Sequence, residues 1–205
     1  MVAKMRNAGE ACTAANRFLV HSSVADEFTA MLAGAMGAMK VGPGIDRATQ
    51  VGPMINERSR DDIAKLVQEA VDSGAHVAVG ASVPDRKGYF YAPTVLSGVS
   101  PDAAILDHEI FGPVAPMVTF DSDEEAIAMA NDTVHGLISY VYTGDLARGL
   151  RAAEAIESGM VGLNRGLVSD PAAPFGGVKQ SGIGREGSHE GIEEFLETKY
   201  IATSW

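Results

Sequence analysis

The chain has 205 residues with 27 acidic and 16 basic side chains, which gives a formal net charge of −11. This charge and the scattering of the lysines and arginines argue against binding to nucleic acid or to an anionic membrane surface. No apolar run approaches the ~20 residues of a membrane-spanning helix, and residues 1–6 are followed by Asn7, Gly9 and Glu10 instead of the apolar region that is typical of a signal peptide. We therefore expect a cytoplasmic protein.

Hydrophobic periodicity and capping residues predict four helices. They cover residues 24–39, residues 56–74, a stretch that opens on the capping box Ser122-x-x-Glu125, and residues 145–159. Short apolar runs follow the last three helices, at residues 76–79, 137–142 and 160–163, and residues 18–20 also resemble a strand. This alternation predicts an α/β domain built on a parallel sheet with helix crossovers.

The C-terminal part of the chain departs from this pattern. Residues 171–191 are rich in glycine, which predicts a loop that makes close backbone approaches. Residues 195–205 are rich in β-branched and aromatic side chains and predict a lone strand. Because no partner strand is evident nearby, we expect its edge to pair with another chain or with a segment outside this sequence.

The hexapeptide at residues 182–187 matches the dinucleotide-binding pattern G-x-G-x-x-G. That pattern binds a pyrophosphate only where it follows a strand and opens a helix within a βαβ unit. Here it follows the polar residues 179–181, and too few residues remain for a second strand. The match therefore does not indicate a phosphate site.

Cys12 is the only cysteine, which excludes an internal disulfide and a cysteine-rich zinc site, and we expect no metal. Two interpretations of Cys12 remain open. Free cysteines are often buried structural residues, but glycine and alanine around Cys12 give access to the backbone. Arg6 and Arg17 favour a reactive thiolate.

Three stretches of the sequence resemble motifs of one enzyme family. Residues 9–17 around Cys12 are similar to the nucleophile loop of the aldehyde dehydrogenase superfamily. Residues 109–113 resemble its E-x-F-G-P motif, and residues 174–187 resemble its P-F-G-G-x-K-x-S-G-x-G-R-E motif. With residues 88–95 these stretches span nearly the whole chain, and within the superfamily the sequence resembles the succinate-semialdehyde dehydrogenases.

The resemblance implies a fold and a chemistry. The fold is the parallel-sheet catalytic domain of aldehyde dehydrogenases, with helices on both faces. The Cys12 thiolate attacks an aldehyde, its backbone N–H helps to hold the oxyanion, and hydride passes to NAD or NADP. Glu109 corresponds to a residue that binds the nicotinamide ribose, and Phe111 to one that packs near the nicotinamide.

The resemblance also implies a substrate. Arg6 and Ser169 occupy positions that bind the substrate carboxylate in succinate-semialdehyde dehydrogenases, and Phe175 is a further substrate-binding position. The chemistry agrees, because a guanidinium offers a carboxylate two donors and a hydroxyl adds a neutral donor. We expect oxidation of succinic semialdehyde, with another aldehyde or semialdehyde as the alternative.

Members of this superfamily are much longer, which implies that the sequence is a C-terminal catalytic fragment. We expect a catalytic domain over residues 1–190 and an oligomerisation arm over residues 191–205, with the N-terminal cofactor-binding domain absent. Such a chain would be inactive alone and would assemble into a homo-oligomer. Two other functions remain open: a cysteine hydrolase that pairs Cys12 with one of the five histidines, and a non-catalytic module that docks through its terminal strand.

Overall fold

The computed structural model describes residues 1–205 and contains six α-helices and six strands. The helices are α1 (Val2–Met5), α2 (Ala25–Gly37), α3 (Glu57–Asp72), α4 (Asp123–Asn131), α5 (Leu146–Ala155) and α6 (Glu190–Glu193). The strands are β1 (Phe18–His21), β2 (His76–Val79), β3 (Thr94–Ser97), β4 (Val114–Phe120), β5 (Ile138–Val141) and β6 (Met160–Leu163). None of the helices combines the length and the apolar composition that crossing a lipid bilayer requires.

The strands form two separate sheets. In the larger sheet the order is β1-β4-β3-β2; β4 runs parallel to β1 and β3, whereas β2 runs antiparallel to β3. The smaller sheet pairs β5 with β6 in parallel. The structure has the expected α/β class, but the prediction of a wholly parallel sheet is wrong at β2. The chain returns from β2 to β3 through the irregular residues 80–93, and antiparallel neighbours need no crossover helix.

Sequence periodicity misses β3 and β4, the two central strands. Both are buried over most of their length, so apolar and polar residues do not alternate along them. Helices cover both faces of this sheet, as expected. Val95 of β3 packs in one cluster with Met36 of α2, and its neighbour Leu96 packs in the other cluster with Val67 of α3.

Capping side chains begin three helices where the sequence predicts helix starts. The side chains of Asn56, Ser122 and Asp145 accept hydrogen bonds from backbone N–H groups in the first turns of α3, α4 and α5. The donor–acceptor distances are 2.8, 3.2 and 3.1 Å. These bonds satisfy N–H groups that have no partner within the helix.

The C-terminal residues 195–205 do not form the predicted strand. They contain no regular secondary structure, and the side chains of Phe195 and Tyr200 are 87% and 88% exposed. A strand requires a hydrogen-bonded neighbour, and this segment pairs with no strand of either sheet. Its β-forming composition therefore does not produce a strand within the chain.

Candidate active site

The segments that precede β1 and β4 lie at the same end of the larger sheet, because these two strands are paired in parallel. The first segment, residues 9–17, carries Cys12 and is called the Cys12 segment below. The second segment, residues 108–113, carries Glu109 and Phe111. The fold therefore brings together two motifs that are far apart in the sequence.

Cys12 lies in an exposed turn between α1 and β1. Asn7, Ala8 and Gly9 precede it with φ angles of 51°, 56° and 80°. This left-handed conformation costs a non-glycine residue on the order of 1–2 kcal/mol. The Asn7 side-chain amide donates a 2.7 Å hydrogen bond to the Glu10 carbonyl, which helps to hold the turn. The interpretation of Cys12 as a buried residue is therefore wrong, and its thiol is accessible.

The backbones of the two segments come into contact at Gly9. A Cβ atom there would overlap the Gly112 carbonyl oxygen and lie 2.8 Å from the carbonyl carbon, so the contact requires glycine. Phe111, which precedes Gly112, has a φ of 49°, a strained conformation for an aromatic residue. The close backbone approach accompanies a turn that leaves the Phe111 side chain 44% exposed.

The side chain of Asn16 links the same two segments. Its Nδ2 donates to the His108 carbonyl at 2.5 Å, and its Oδ1 accepts from the Ile110 N–H at 2.9 Å. These two hydrogen bonds flank Glu109, which is exposed. Glu109 and Phe111 therefore lie at the surface of a segment that is tied to the Cys12 segment.

Arg6 is oriented by Thr13, the residue that follows Cys12. The Arg6 Nη2 donates to the Thr13 hydroxyl at 2.6 Å, and the Tyr140 hydroxyl of β5 donates to the Thr13 carbonyl at 2.8 Å. Arg6, Thr13 and Tyr140 line a narrow surface pocket. Its other lining residues are Val2, Ala3, Ala11, Ala14 and Gly166. Burial raises the pKa of Tyr140, which keeps its hydroxyl a hydrogen-bond donor near neutral pH.

Ser169 lies in the loop that follows β6 and is exposed. Gly166 of the same loop lines the pocket beside Arg6. No hydrogen bond joins Ser169 to Arg6 or to the Cys12 segment. The structure therefore brings Arg6 together with the Cys12 segment but leaves Ser169 without such a contact.

Phe175 is half-buried in the glycine-rich segment and does not line this pocket. Its backbone forms an antiparallel bridge with Glu186 through hydrogen bonds of 2.8 and 2.7 Å. Arg185 closes the turn, because its Nη1 donates to three backbone carbonyls at 2.7 to 3.1 Å. Residues 182–187 thus form a turn braced against Phe175, which differs from the strand-to-helix turn of a pyrophosphate site.

Arg17 does not lie where it would stabilise a Cys12 thiolate, contrary to the sequence-based expectation. Its guanidinium donates to the carbonyls of Met129, Ala130 and Asp132 at 3.0 to 3.1 Å. These carbonyls belong to the C-terminal end of α4, where the helix leaves acceptors unpaired. The role of Arg17 here is to cap α4.

Lys4 is a buried residue of α1 that carries no motif in the sequence. It is 1% exposed, and its Nζ has no hydrogen-bond partner. Burial lowers the pKa of its ammonium group from 10.5 to about 7. Its aliphatic chain lies under Gly9, since a Cβ on that glycine would be 3.4 Å from the Lys4 Cε.

Thr13, Asn16 and Tyr140 also organise the site, although the sequence does not predict these roles. Thr13 and Asn16 lie inside the stretch around Cys12, but the partners that reveal their roles are distant in sequence. A signal for Asn16 exists in principle, because a side-chain amide can bridge two backbone groups of a neighbouring loop. Tyr140 lies in a predicted strand with no distinguishing signal.

Comparisons with known proteins extend the motif resemblance to most of the chain. The chain is 60% identical over 201 residues to the succinate-semialdehyde dehydrogenase of Paenarthrobacter nicotinovorans. This alignment covers 98% of this chain and 45% of that protein. It aligns with the crystal structure of succinate-semialdehyde dehydrogenase from Burkholderia pseudomallei with a TM-score of 0.92 and 46% identity, over 94% of this chain and 40% of that chain. The NAD⁺ complex of an aldehyde dehydrogenase from Bacillus cereus gives a TM-score of 0.91 and 35% identity, over 95% and 40%.

The chain thus spans less than half the length of these relatives. The profile of the aldehyde dehydrogenase family matches residues 1–201, which include both segments that meet at Cys12. The chain belongs to the aldehyde dehydrogenase family.

Proposed function

We propose that this chain is the catalytic portion of an NAD(P)-dependent dehydrogenase that oxidises succinic semialdehyde to succinate. The observation that carries the proposal is the exposed Cys12, which is followed directly by the residue that orients Arg6. A nucleophile and a cationic side chain on one short segment suit an aldehyde that bears a carboxylate. Two of the relatives are named as succinate-semialdehyde dehydrogenases.

Cys12 acts as the nucleophile in this proposal. The Cys12 Sγ, as thiolate, adds to the aldehyde carbon, which forms a C–S bond and leaves the negative charge on oxygen. The Cys12 backbone N–H has no acceptor within the chain and is free to donate to that oxygen. Once this carbon is oxidised, water cleaves the C–S bond of the thioester, which releases the carboxylic acid and restores the thiol.

Glu109 and Phe111 fit the binding of a nicotinamide cofactor. Glu109 is exposed and offers its carboxylate to ribose hydroxyls, and the partly exposed Phe111 ring offers an apolar surface. Both residues lie on the segment that touches the Cys12 segment at Gly9. The chemistry supplied by a bound NAD or NADP is acceptance of a hydride.

Arg6 binds the remote carboxylate of the substrate in this proposal. The hydrogen bond to Thr13 uses one Nη2 donor, and the other donors of the guanidinium have no partner in the chain. Ser169 adds a hydroxyl donor, and Phe175 is a further substrate-binding residue in this proposal, although it lies outside the pocket beside Arg6. Ser169 supplies a single neutral donor, so we expect its contribution to be the smaller one.

Arg6→Ala and Ser169→Ala in the complete enzyme test this assignment. For succinic semialdehyde, kcat/KM should fall several-fold further in Arg6→Ala. Each hydrogen bond to the carboxylate contributes about 1.5–3 kcal/mol, and the guanidinium supplies two donors and a counter-charge, whereas the neutral Ser169 hydroxyl supplies one donor. For butanal, which lacks a carboxylate, neither variant should change kcat/KM appreciably. Equal losses on both substrates would show that Arg6 orders the Cys12 segment, and the substrate would then be an unspecified aldehyde.

A further inference from the structure

Asn16 places its side-chain amide between two backbone groups that lie more than ninety positions away in sequence. It donates to the His108 carbonyl at 2.5 Å and accepts from the Ile110 N–H at 2.9 Å. One side chain therefore binds the residue before Glu109 and the residue after it. The amide carries both a donor and an acceptor, which a carboxylate or a hydroxyl of similar size supplies less well.

The segment around Glu109 has few other restraints from hydrogen bonds. Residues 108–111 form no backbone–backbone hydrogen bond. Their other anchors are the buried Ile110 side chain, which is 4% exposed, and the contact of the following Gly112 with Gly9. The Asn16 amide is thus the hydrogen-bonding group that fixes the position of the Glu109 backbone.

Asn16 also lies four residues after Cys12 on the same segment. We propose that Asn16 is a positioning residue that fixes Glu109 relative to the Cys12 segment, and that it thereby sets the affinity for the nicotinamide cofactor. This inference rests on the proposed function, because it takes Glu109 as the carboxylate that binds the cofactor ribose. Asn16 itself touches neither cofactor nor substrate in this proposal.

The chain offers a matched control at Asn131. Its Nδ2 donates to the Ala155 carbonyl at 2.9 Å, and its Oδ1 accepts from the Glu157 N–H at 2.8 Å. This pair of hydrogen bonds has the same form as that of Asn16, but it joins the end of α4 to the turn before β6. A purely structural role of such a pair should give the same result at both positions.

Asn16→Ala and Asn131→Ala in the complete enzyme test the inference by two measurements. Hydrogen exchange without cofactor should speed up at the Ile110 amide in Asn16→Ala and at the Glu157 amide in Asn131→Ala, because each amide loses its acceptor. Calorimetric titration with NAD⁺ and with NADP⁺ should show a dissociation constant about tenfold higher in Asn16→Ala only. The free energy lost with these hydrogen bonds corresponds to about a tenfold change in a binding constant. KM for the preferred cofactor should rise in parallel, with a smaller change in kcat.

Asn16→Asp is the second variant, to be used if Asn16→Ala does not fold. It keeps the acceptor for the Ile110 N–H and removes the donor to the His108 carbonyl. The Ile110 amide should then stay protected, and the affinity for the cofactor should fall less than in Asn16→Ala. Unchanged affinity in Asn16→Ala, or an equal loss in Asn131→Ala, would overturn the inference. Glu109→Gln distinguishes failure of the proposed role of Glu109 from failure of the proposed role of Asn16. If Glu109→Gln leaves the affinity for the cofactor unchanged, the role of Glu109 is wrong. If Glu109→Gln lowers this affinity and Asn16→Ala does not, only the role of Asn16 is wrong.

Discussion

Replacing Lys4 with methionine should stabilise the folded chain, and the gain should be larger at pH 6 than at pH 10. Lys4 is 1% exposed, and its Nζ has no hydrogen-bond partner. Burial lowers the pKa of its ammonium group from 10.5 to about 7. Methionine has a similar length and removes the charge while it fills the same space.

The size of the effect follows from these two pKa values. A tenfold change in a proton-binding constant corresponds to about 1.4 kcal/mol, so a pKa lowered from 10.5 to about 7 means a cost of about 5 kcal/mol for burying the charged group. Between these values the unfolded chain binds a proton that the folded chain does not, so stability rises with pH. The full cost is present below about pH 7 and is relieved as the pH approaches 10.5.

Urea unfolding followed by circular dichroism measures the effect at pH 6 and pH 10, at low protein concentration to limit self-association. Lys4→Met should raise the free energy of unfolding by several kcal/mol at pH 6 and by much less at pH 10, with an unchanged m-value. Lys65→Met is the control, because the Lys65 side chain is 76% exposed and should give a small effect at both pH values. An equal gain from Lys4→Met at both pH values would refute the reasoning, since it would mean that the buried group carries no charge penalty.

Three further predictions follow from packing and from the length of the chain. Gly159→Ala should destabilise the fold by about 1–3 kcal/mol, because the new Cβ would overlap the Gly176 carbonyl oxygen and lie 2.7 Å from the Gly177 Cα. Gly34→Ala in α2 should stabilise the fold by about 0.5–1 kcal/mol, because the new Cβ meets no atom within 4 Å. Chemical unfolding of both variants checks that the two changes in stability have opposite signs. The isolated chain should not oxidise succinic semialdehyde, because its relatives are more than twice as long; steady production of NADH or NADPH by the purified chain would contradict this. The isolated chain should also self-associate through the exposed apolar residues of 195–205, and a light-scattering mass of 21.4 kDa at high concentration would argue against it.

Local features of the fold could be predicted from the sequence, and features that depend on distant neighbours could not. The starts of α3, α4 and α5 are predictable because Asn56, Ser122 and Asp145 satisfy N–H groups of the next turn. The central strand β4 escapes periodicity because both of its faces are buried. The composition of residues 195–205 favours a strand, but strand formation also needs a partner, which this chain does not provide.

The candidate site divides in the same way. Cys12 and its flanking glycine and alanine form a local pattern, so its accessibility could be anticipated as one of two interpretations. The position of the Arg17 guanidinium could not be anticipated, because its acceptors belong to the end of α4, more than a hundred residues away. The pairing of Asn16 with the segment around Glu109 likewise depends on the parallel alignment of β1 with β4.

The rate of NADH or NADPH production from succinic semialdehyde by Cys12→Ala in the complete enzyme tests the proposed function most directly. Because Cys12 is exposed, the substitution should leave the thermal unfolding temperature unchanged. Turnover should fall to the background rate, since no other group in the chain replaces the thiolate. Retained turnover in a folded Cys12→Ala variant would contradict the proposal that Cys12 is the nucleophile.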